Sequence, residues 1–188
     1  MAMNTLDLDR SVLVLVDFQQ RLMPAIHDGA AVVAQALVLA RIARLLDVPV
    51  LGTEQNPQGL GGNVPELREL CARTLAKMHF DACQDGLIDA IDATGRQRAQ
   101  GAEIVIAGCE SHVCLLQTAL GLIRAGYPLA VVAPACGSRR SGDRELALAR
   151  MHDAGARIVS LEMVAFEWLR SSEHPLFKSV LRLIKEAD

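Results

Sequence analysis

Aromatic side chains are nearly missing: one Trp, one Tyr and four Phe occur in 188 residues. A core without large rings has to be built from Val, Leu, Ile and Ala, and the apolar share of 51% supplies them. No uncharged apolar run reaches the ~18 residues needed to cross a bilayer, so no membrane span is expected. The opening MAMNTLDLDR lacks the basic start and apolar stretch of a signal peptide. Charge of one sign is also lacking. The net charge is −3 with both signs scattered, which argues against a nucleic-acid face. There is no internal repeat, low-complexity tract or linker, so residues 1–188 are expected to form a single domain with a sizeable core. The five cysteines are an odd number inside patterned segments, with no C-x-x-C spacing. That predicts reduced thiols in a cytoplasmic compartment and no cysteine zinc site.

What is present is a rhythm. Continuous apolar runs at 11–17, 48–53, 102–108, 127–133 and 156–161 have strand length and do not alternate, as expected of strands buried on both faces. Helical patterns separate them at 30–46, 84–94, 111–125 and 142–154. Residues 74–83 read as a short strand entering a loop, and the Gly- and Pro-rich stretch 54–65 as a long loop. The alternation predicts a three-layer α/β/α fold with a mainly parallel, doubly wound, Rossmann-like sheet. Loops after the strand C-termini then converge on a ligand crevice. A C-terminal amphipathic helix is expected to bury Phe177, Val180, Leu181 and Ile184 on its own domain or on another subunit.

Three chemistry-bearing residues fall at strand ends. In IAGCESHVCLLQTALGLIRAGYP, Ser111 is placed to cap the helix after the strand, putting Cys114 in its first turn. Backbone N–H groups there favour a thiolate and can hold an oxyanion. Cys114 is thus either a nucleophile or one more buried thiol. Asp17 closes the strand VLVLV, facing a crevice or capping the following turn. Lys77 sits in the largely apolar TLAKMHF, either poised in a site or snorkelling to the surface.

The segments VLVLVDFQQRLMP, LAKMHFDAC and IVIAGCESHVCLLQTALGLIRAGY resemble, in order and spacing, the three signature regions of the isochorismatase-like cysteine hydrolases. That superfamily includes nicotinamidases, N-carbamoylsarcosine amidohydrolase and isochorismatase. GTEQNPQGLG and HPLFKSVLRLI are most similar to its compact isochorismatase-domain-containing hydrolases, whose substrates are unassigned. The resemblance implies an Asp17–Lys77–Cys114 triad and amidohydrolase chemistry on a small amide or related carbonyl, through a covalent thioester. It also implies a cis peptide joining Cys109 to Glu110, which would aim the Glu110 and Cys114 N–H groups at the oxyanion. The opposing expectation is a catalytically silent module of the same fold that binds a ligand or assembles. Thiol redox chemistry at Cys114 is a third, disfavoured by the lack of a resolving cysteine.

One departure matters. Nicotinamidases carry an Asp-x-His metal pair where this chain has Glu54 and Asn56, and no histidine lies between His27 and His79. No metal or other cofactor is therefore expected. Gln19, Glu54 and Gln55 are instead expected to orient substrate or to brace their own loops. His79 would share a strand face with Lys77 and line the pocket, or lie elsewhere. A Cys114–His112 pair is disfavoured because helical neighbours two apart diverge. Arg139 and Arg140 are candidates for substrate or subunit contact. The expected partners are a small-molecule substrate and further copies of the chain as a homo-oligomer, with no nucleic acid and no membrane.

Overall fold

Runs of branched aliphatic residues with no polar alternation can bury both faces only in the middle of a layered structure, and that is where they lie. The computed structural model describes residues 5–96 and 101–186. Strands β1 (Ser11–Val16), β2 (Val50–Gln55), β3 (Arg73–Lys77), β4 (Glu103–Cys109), β5 (Leu129–Gly137) and β6 (Arg157–Val159) form one sheet in the order β3-β2-β1-β4-β5-β6. Every pairing is parallel. β1, β2 and β4 are buried along their whole length, whereas the edge strands β3 and β6 are largely half-exposed or exposed.

Parallel neighbours require crossovers, and the helices supply them on both faces. α1 (Gly29–Leu45) packs with α3 (Pro65–Leu70), α7 (Leu161–Leu169) and α8 (Phe177–Lys185). On the opposite face α5 (Leu116–Arg124) packs with α6 (Ser141–Asp153) and with the 3-10 turn Ala82–Asp85, which leads into α4 (Leu87–Asp92). The three-layer, doubly wound architecture expected from the apolar rhythm is the one observed. Among the described residues no helix is long and apolar enough to cross a membrane.

The strand order reverses between β1 and β4, so the crevice of this sheet lies outside their C-terminal ends. β1 and β4 approach tightly there. Gly108 faces Val16, has φ 154°, and a Cβ on it would stand 2.3 Å from the Val16 carbonyl oxygen. Only glycine allows that contact one residue before Cys109.

Several boundaries differ from those expected. β2 runs on through Gln55, because Glu54 and Gln55 pair with Ala76 and Lys77 of β3, so two residues expected in a loop are in the sheet. A single helical turn, α2 (Pro57–Leu60), and α3 then occupy much of the expected loop. The helix expected at 84–94 is divided by Gly86 at φ 92°. Ser111 does not cap its helix: the hydroxyl donates to the Gly137 carbonyl at 3.0 Å, and Ser111–Leu115 form a π-turn ahead of α5. α7 was not anticipated at all. Its buried Leu161, Val164, Ala165, Trp168 and Leu169 have full helical spacing, and the Ser160 side chain accepts from the Met163 N–H. α8 buries Val180 and Ile184 against its own domain, beside α1 and α7.

Candidate active site

Asp17 follows the last residue of β1 and has φ 54°, a left-handed conformation that aspartate tolerates better than most residues. The turn brings its carboxylate back over the sheet. The Asp17 N–H donates to the Thr53 carbonyl at 3.2 Å, and the Thr53 hydroxyl donates to Asp17 Oδ1 at 2.6 Å. Lys77 ends β3, two strands away, with its Nζ 2.8 Å from Asp17 Oδ2; both side chains are 0% exposed. The lysine therefore does not snorkel.

Two unscreened charges require close pairing and further hydrogen bonds to persist inside a protein. Lys77 Nζ donates to Gln55 Oε1 at 2.7 Å and to the carbonyls of His79 and Phe80 at 3.3 Å each. Asp17 Oδ2 meets Lys77 as an ion pair by distance, but at an angle that leaves this oxygen without a hydrogen-bond donor. Its lone pairs remain available inside the site.

Cys114 lies in the π-turn after β4, 6% exposed, with its Sγ 4.0 Å from Gln55 Oε1 and close enough to Asp17 and Lys77 to feel both charges. The sheet order thus brings the ends of β1, β3 and β4 to one point. Burial first, and the Asp17 charge second, push the Cys114 thiol up to about 12, against the pull of the Lys77 ammonium. This corrects the expectation of a standing thiolate: desolvation outweighs the cation, and the resting sulfur carries its proton. Cys71 and Cys83 are likewise pushed up, to about 11 and about 12, and Cys109 is raised further by burial. Acidity does not single out Cys114. Its neighbours do.

The peptide joining Cys109 to Glu110 is cis. The Cys109 side chain is fully buried, and Glu110 Oε2 accepts from both the backbone N–H and the Nε–H of Arg139, at 3.1 and 3.0 Å. Arg139 thus ties down the turn beside the nucleophile candidate, while Arg140 is exposed at the start of α6. His112 Nδ1 lies 3.0 Å from Ser138 Oγ, a pairing not anticipated from the sequence.

The remaining candidates all make internal hydrogen bonds. The Gln19 amide donates to the carbonyls of Gln55 and Gly61 and accepts from the Gln55 N–H. Gln55 holds Lys77 through Oε1 and donates through Nε2 to the Met78 carbonyl at 2.8 Å. Glu54 Oε1 accepts from the Asn63 N–H at 2.9 Å and faces Arg68 at 3.3 Å. A carboxylate already beside a guanidinium, with Asn56 as its neighbouring donor, does not suit a divalent cation. Among the described residues no group of three or more His, Cys, Asp or Glu side chains is arranged to hold a metal.

The His79 ring is 58% exposed and pairs with Asp85 at 3.0 Å, because β3 ends at Lys77 and strand alternation does not extend to residue 79. Only its carbonyl reaches the site. His79→Ala is therefore expected to leave the reactivity of Cys114 within about twofold of wild type and to cost less than about 1 kcal/mol of stability. Parallel acylation and thermal-unfolding measurements check both.

The Isochorismatase domain model matches residues 11–163, from the first residue of β1 into α7. Isochorismatase domain-containing protein 2A of Mus musculus is 38% identical over 178 residues, covering 95% of this chain and 84% of its own. Among solved structures, one described as the MAR1 ribonuclease from Caenorhabditis elegans superposes with a TM-score of 0.88 at 32% identity, covering 96% of this chain and 92% of its own. The YcaC gene product from Escherichia coli, described as an octameric hydrolase of unknown specificity, gives 0.85 at 25% identity and covers 99% and 97%. A domain match over most of the sheet, together with close relatives of nearly equal length, places this chain in the isochorismatase family.

Proposed function

We propose that this chain is a cysteine hydrolase that cleaves the C–N bond of a small amide, or the equivalent bond of a related carbonyl compound, through a thioester on Cys114. One observation carries the reading: a fully buried Asp17–Lys77 ion pair whose lysine shares Gln55 Oε1 with the Cys114 thiol, beside the switch point of the sheet. A scaffold gains little from such a cluster, since apolar residues of similar volume are as stable or more so.

In this mechanism Cys114 Sγ attacks the carbonyl carbon while its proton passes to Asp17. Lys77 balances the charge as it moves from carboxylate to the developing oxyanion. The N–H groups of Glu110 and Cys114 are assigned to that oxyanion. Asp17 then protonates the leaving nitrogen, the C–N bond breaks, and a thioester remains. Water attacks the thioester, giving its proton to Asp17, and the acid leaves as the sulfur regains a proton. These steps use only side-chain and backbone groups of the chain and require no cofactor.

Ribonuclease chemistry, the description attached to the nematode structure, does not suit this site. A phosphodiester offers no carbonyl for thioester chemistry, and a net charge of −3 gives no general attraction for a polyanion. The test is acylation of the protein by p-nitrophenyl acetate at neutral pH, read by intact mass and peptide mapping. A single acetyl group on Cys114 supports the reading. Acetylation spread over surface lysines with Cys114 unmodified would favour the silent binding module.

We also place the protein in the cytoplasm, where its five free cysteines would stay reduced, and assign it a homo-oligomeric state. Just past the end of the edge strand β3, Met78 and Phe80 are 67% and 49% exposed, an apolar rim that suits a subunit contact. The octameric bacterial relative supports the assignment. Light scattering on a sizing column is expected to give a multiple of 20.3 kDa; a single-chain mass across micromolar concentrations would refute it.

A further inference from the structure

We infer that Thr53 is a positioning residue for the proton transfer, its hydroxyl fixing which oxygen of Asp17 receives the Cys114 proton. The inference rests on the reading of Asp17 as the base. Thr53 and Gln55 are two apart on β2, so their side chains leave the same face of the sheet. Each supports one member of the buried ion pair: the Thr53 hydroxyl bonds Asp17 Oδ1 at 2.6 Å, and Gln55 Oε1 bonds Lys77 Nζ at 2.7 Å. The strand between β1 and β3 thus carries two supports, placed before either charge moves.

The direction of the Thr53 bond is fixed, because an ionised carboxylate can only accept. Its short length marks a charge-assisted contact in a site shielded from water. It makes the two carboxylate oxygens inequivalent. Oδ1 is occupied by a neutral donor, whereas Oδ2 lies beside Lys77 with no hydrogen-bond donor of its own. Oδ2 is thus the oxygen open to the thiol proton. When it is protonated, Oδ1 becomes the carbonyl oxygen and still accepts from Thr53, so the same bond serves both states without reorganisation.

The support is itself held. Thr53 is 0% exposed and paired with Val16 of β1 and Leu75 of β3. Its carbonyl accepts from the Asp17 N–H at 3.2 Å and the Asn63 side chain at 3.0 Å. The branched Cβ of threonine restricts the hydroxyl to few rotamers. A hydroxyl on a fully buried strand has no packing advantage over valine, and this bond gives it a purpose.

The experiment measures acylation of Cys114 by p-nitrophenyl acetate at pH 7 in wild type, Thr53→Val, Thr53→Ala and Thr53→Ser, with Tm recorded for each. Valine keeps the volume and removes the hydroxyl; serine keeps the hydroxyl and removes a methyl. If Thr53 positions the base, the rate follows the hydroxyl. Valine and alanine are then about 10- to 100-fold slow, the loss expected for one hydrogen bond to a charged group, and serine is close to wild type whatever its Tm. Rates that follow Tm instead, or a wild-type rate in Thr53→Val, overturn the proposal. Alanine supplies a second hydroxyl-free protein if the valine variant does not fold. Asp17→Asn run alongside separates the two levels. A slow Asp17→Asn with a fast Thr53→Val removes only the role of Thr53, whereas a fast Asp17→Asn removes the base and the proposal with it.

Discussion

Replacing Cys114 with alanine is expected to abolish acylation by p-nitrophenyl acetate and to lower hydrolysis of any substrate by roughly 10⁴- to 10⁶-fold, the scale seen when a covalent nucleophile is removed. The fold is expected to survive. The change deletes one sulfur from a well-packed turn, a loss of about 1 kcal/mol, and for a chain of this length that moves Tm by about 2–4 °C. Cys114→Ser is expected to be nearly as inactive. The thiol is already pushed up to about 12 where it stands, and a hydroxyl in the same low-polarity environment is harder still to deprotonate. The other cysteines supply the control. Cys109 and Cys136 are buried beneath the sheet ends, and alkylation of the more accessible Cys71 and Cys83 marks background reactivity. A Cys114→Ala protein that turns over substrate at the wild-type rate would leave the family fold intact and remove the mechanism.

Asp17→Asn is expected to produce two effects of opposite apparent sense. Turnover falls by about 10²- to 10⁴-fold, the usual worth of a positioned general base. The thiol of Cys114 becomes more acidic at the same time. An anion beside the sulfur disfavours a second anion, and the Asp17 charge is the largest cause of the raised value after burial. Removing it lowers the midpoint of a thiol alkylation profile from about 12, so the variant holds more thiolate at any given pH yet reacts more slowly with a carbonyl. An ordinary activated thiolate would behave the other way, gaining reactivity as its acidity rose. The measurement is iodoacetamide labelling of Cys114 against pH, followed by peptide mass, beside acylation rates on the same preparations. Thermal unfolding accompanies it, because the substitution leaves Lys77 buried with Gln55 and two carbonyls as its remaining partners. Undiminished turnover would show that Asp17 is not the base. An unmoved labelling midpoint would show that its charge does not reach the sulfur.

The sequence by itself determined the class of fold and singled out the three residues proposed as reactive groups. Unalternating aliphatic runs such as VLVLV and EIVIAGC can be satisfied only by strands covered on both faces, and the helical spacing between them forces parallel pairing. Asp17, Lys77 and Cys114 were legible because each interrupts such a pattern at a strand end, and because their surroundings resemble known signature regions. Local pattern also contained α7, through its capping serine and apolar stripe. Tertiary structure decided the rest, for reasons that local sequence does not carry. Strand order is a choice among distant partners, and only the order β3-β2-β1-β4 brings Lys77, Thr53, Asp17 and Cys114 to adjoining strand ends. Hydrogen-bond partners are likewise distant: the Gln19 amide bonds the carbonyls of Gln55 and Gly61, and Ser111, a candidate cap, gives its hydroxyl to Gly137. The acidity of Cys114 is a further case, because a nearby cation is a local cue and its outcome is not. Desolvation is a property of the whole packed interior, and here it outweighs the Lys77 charge.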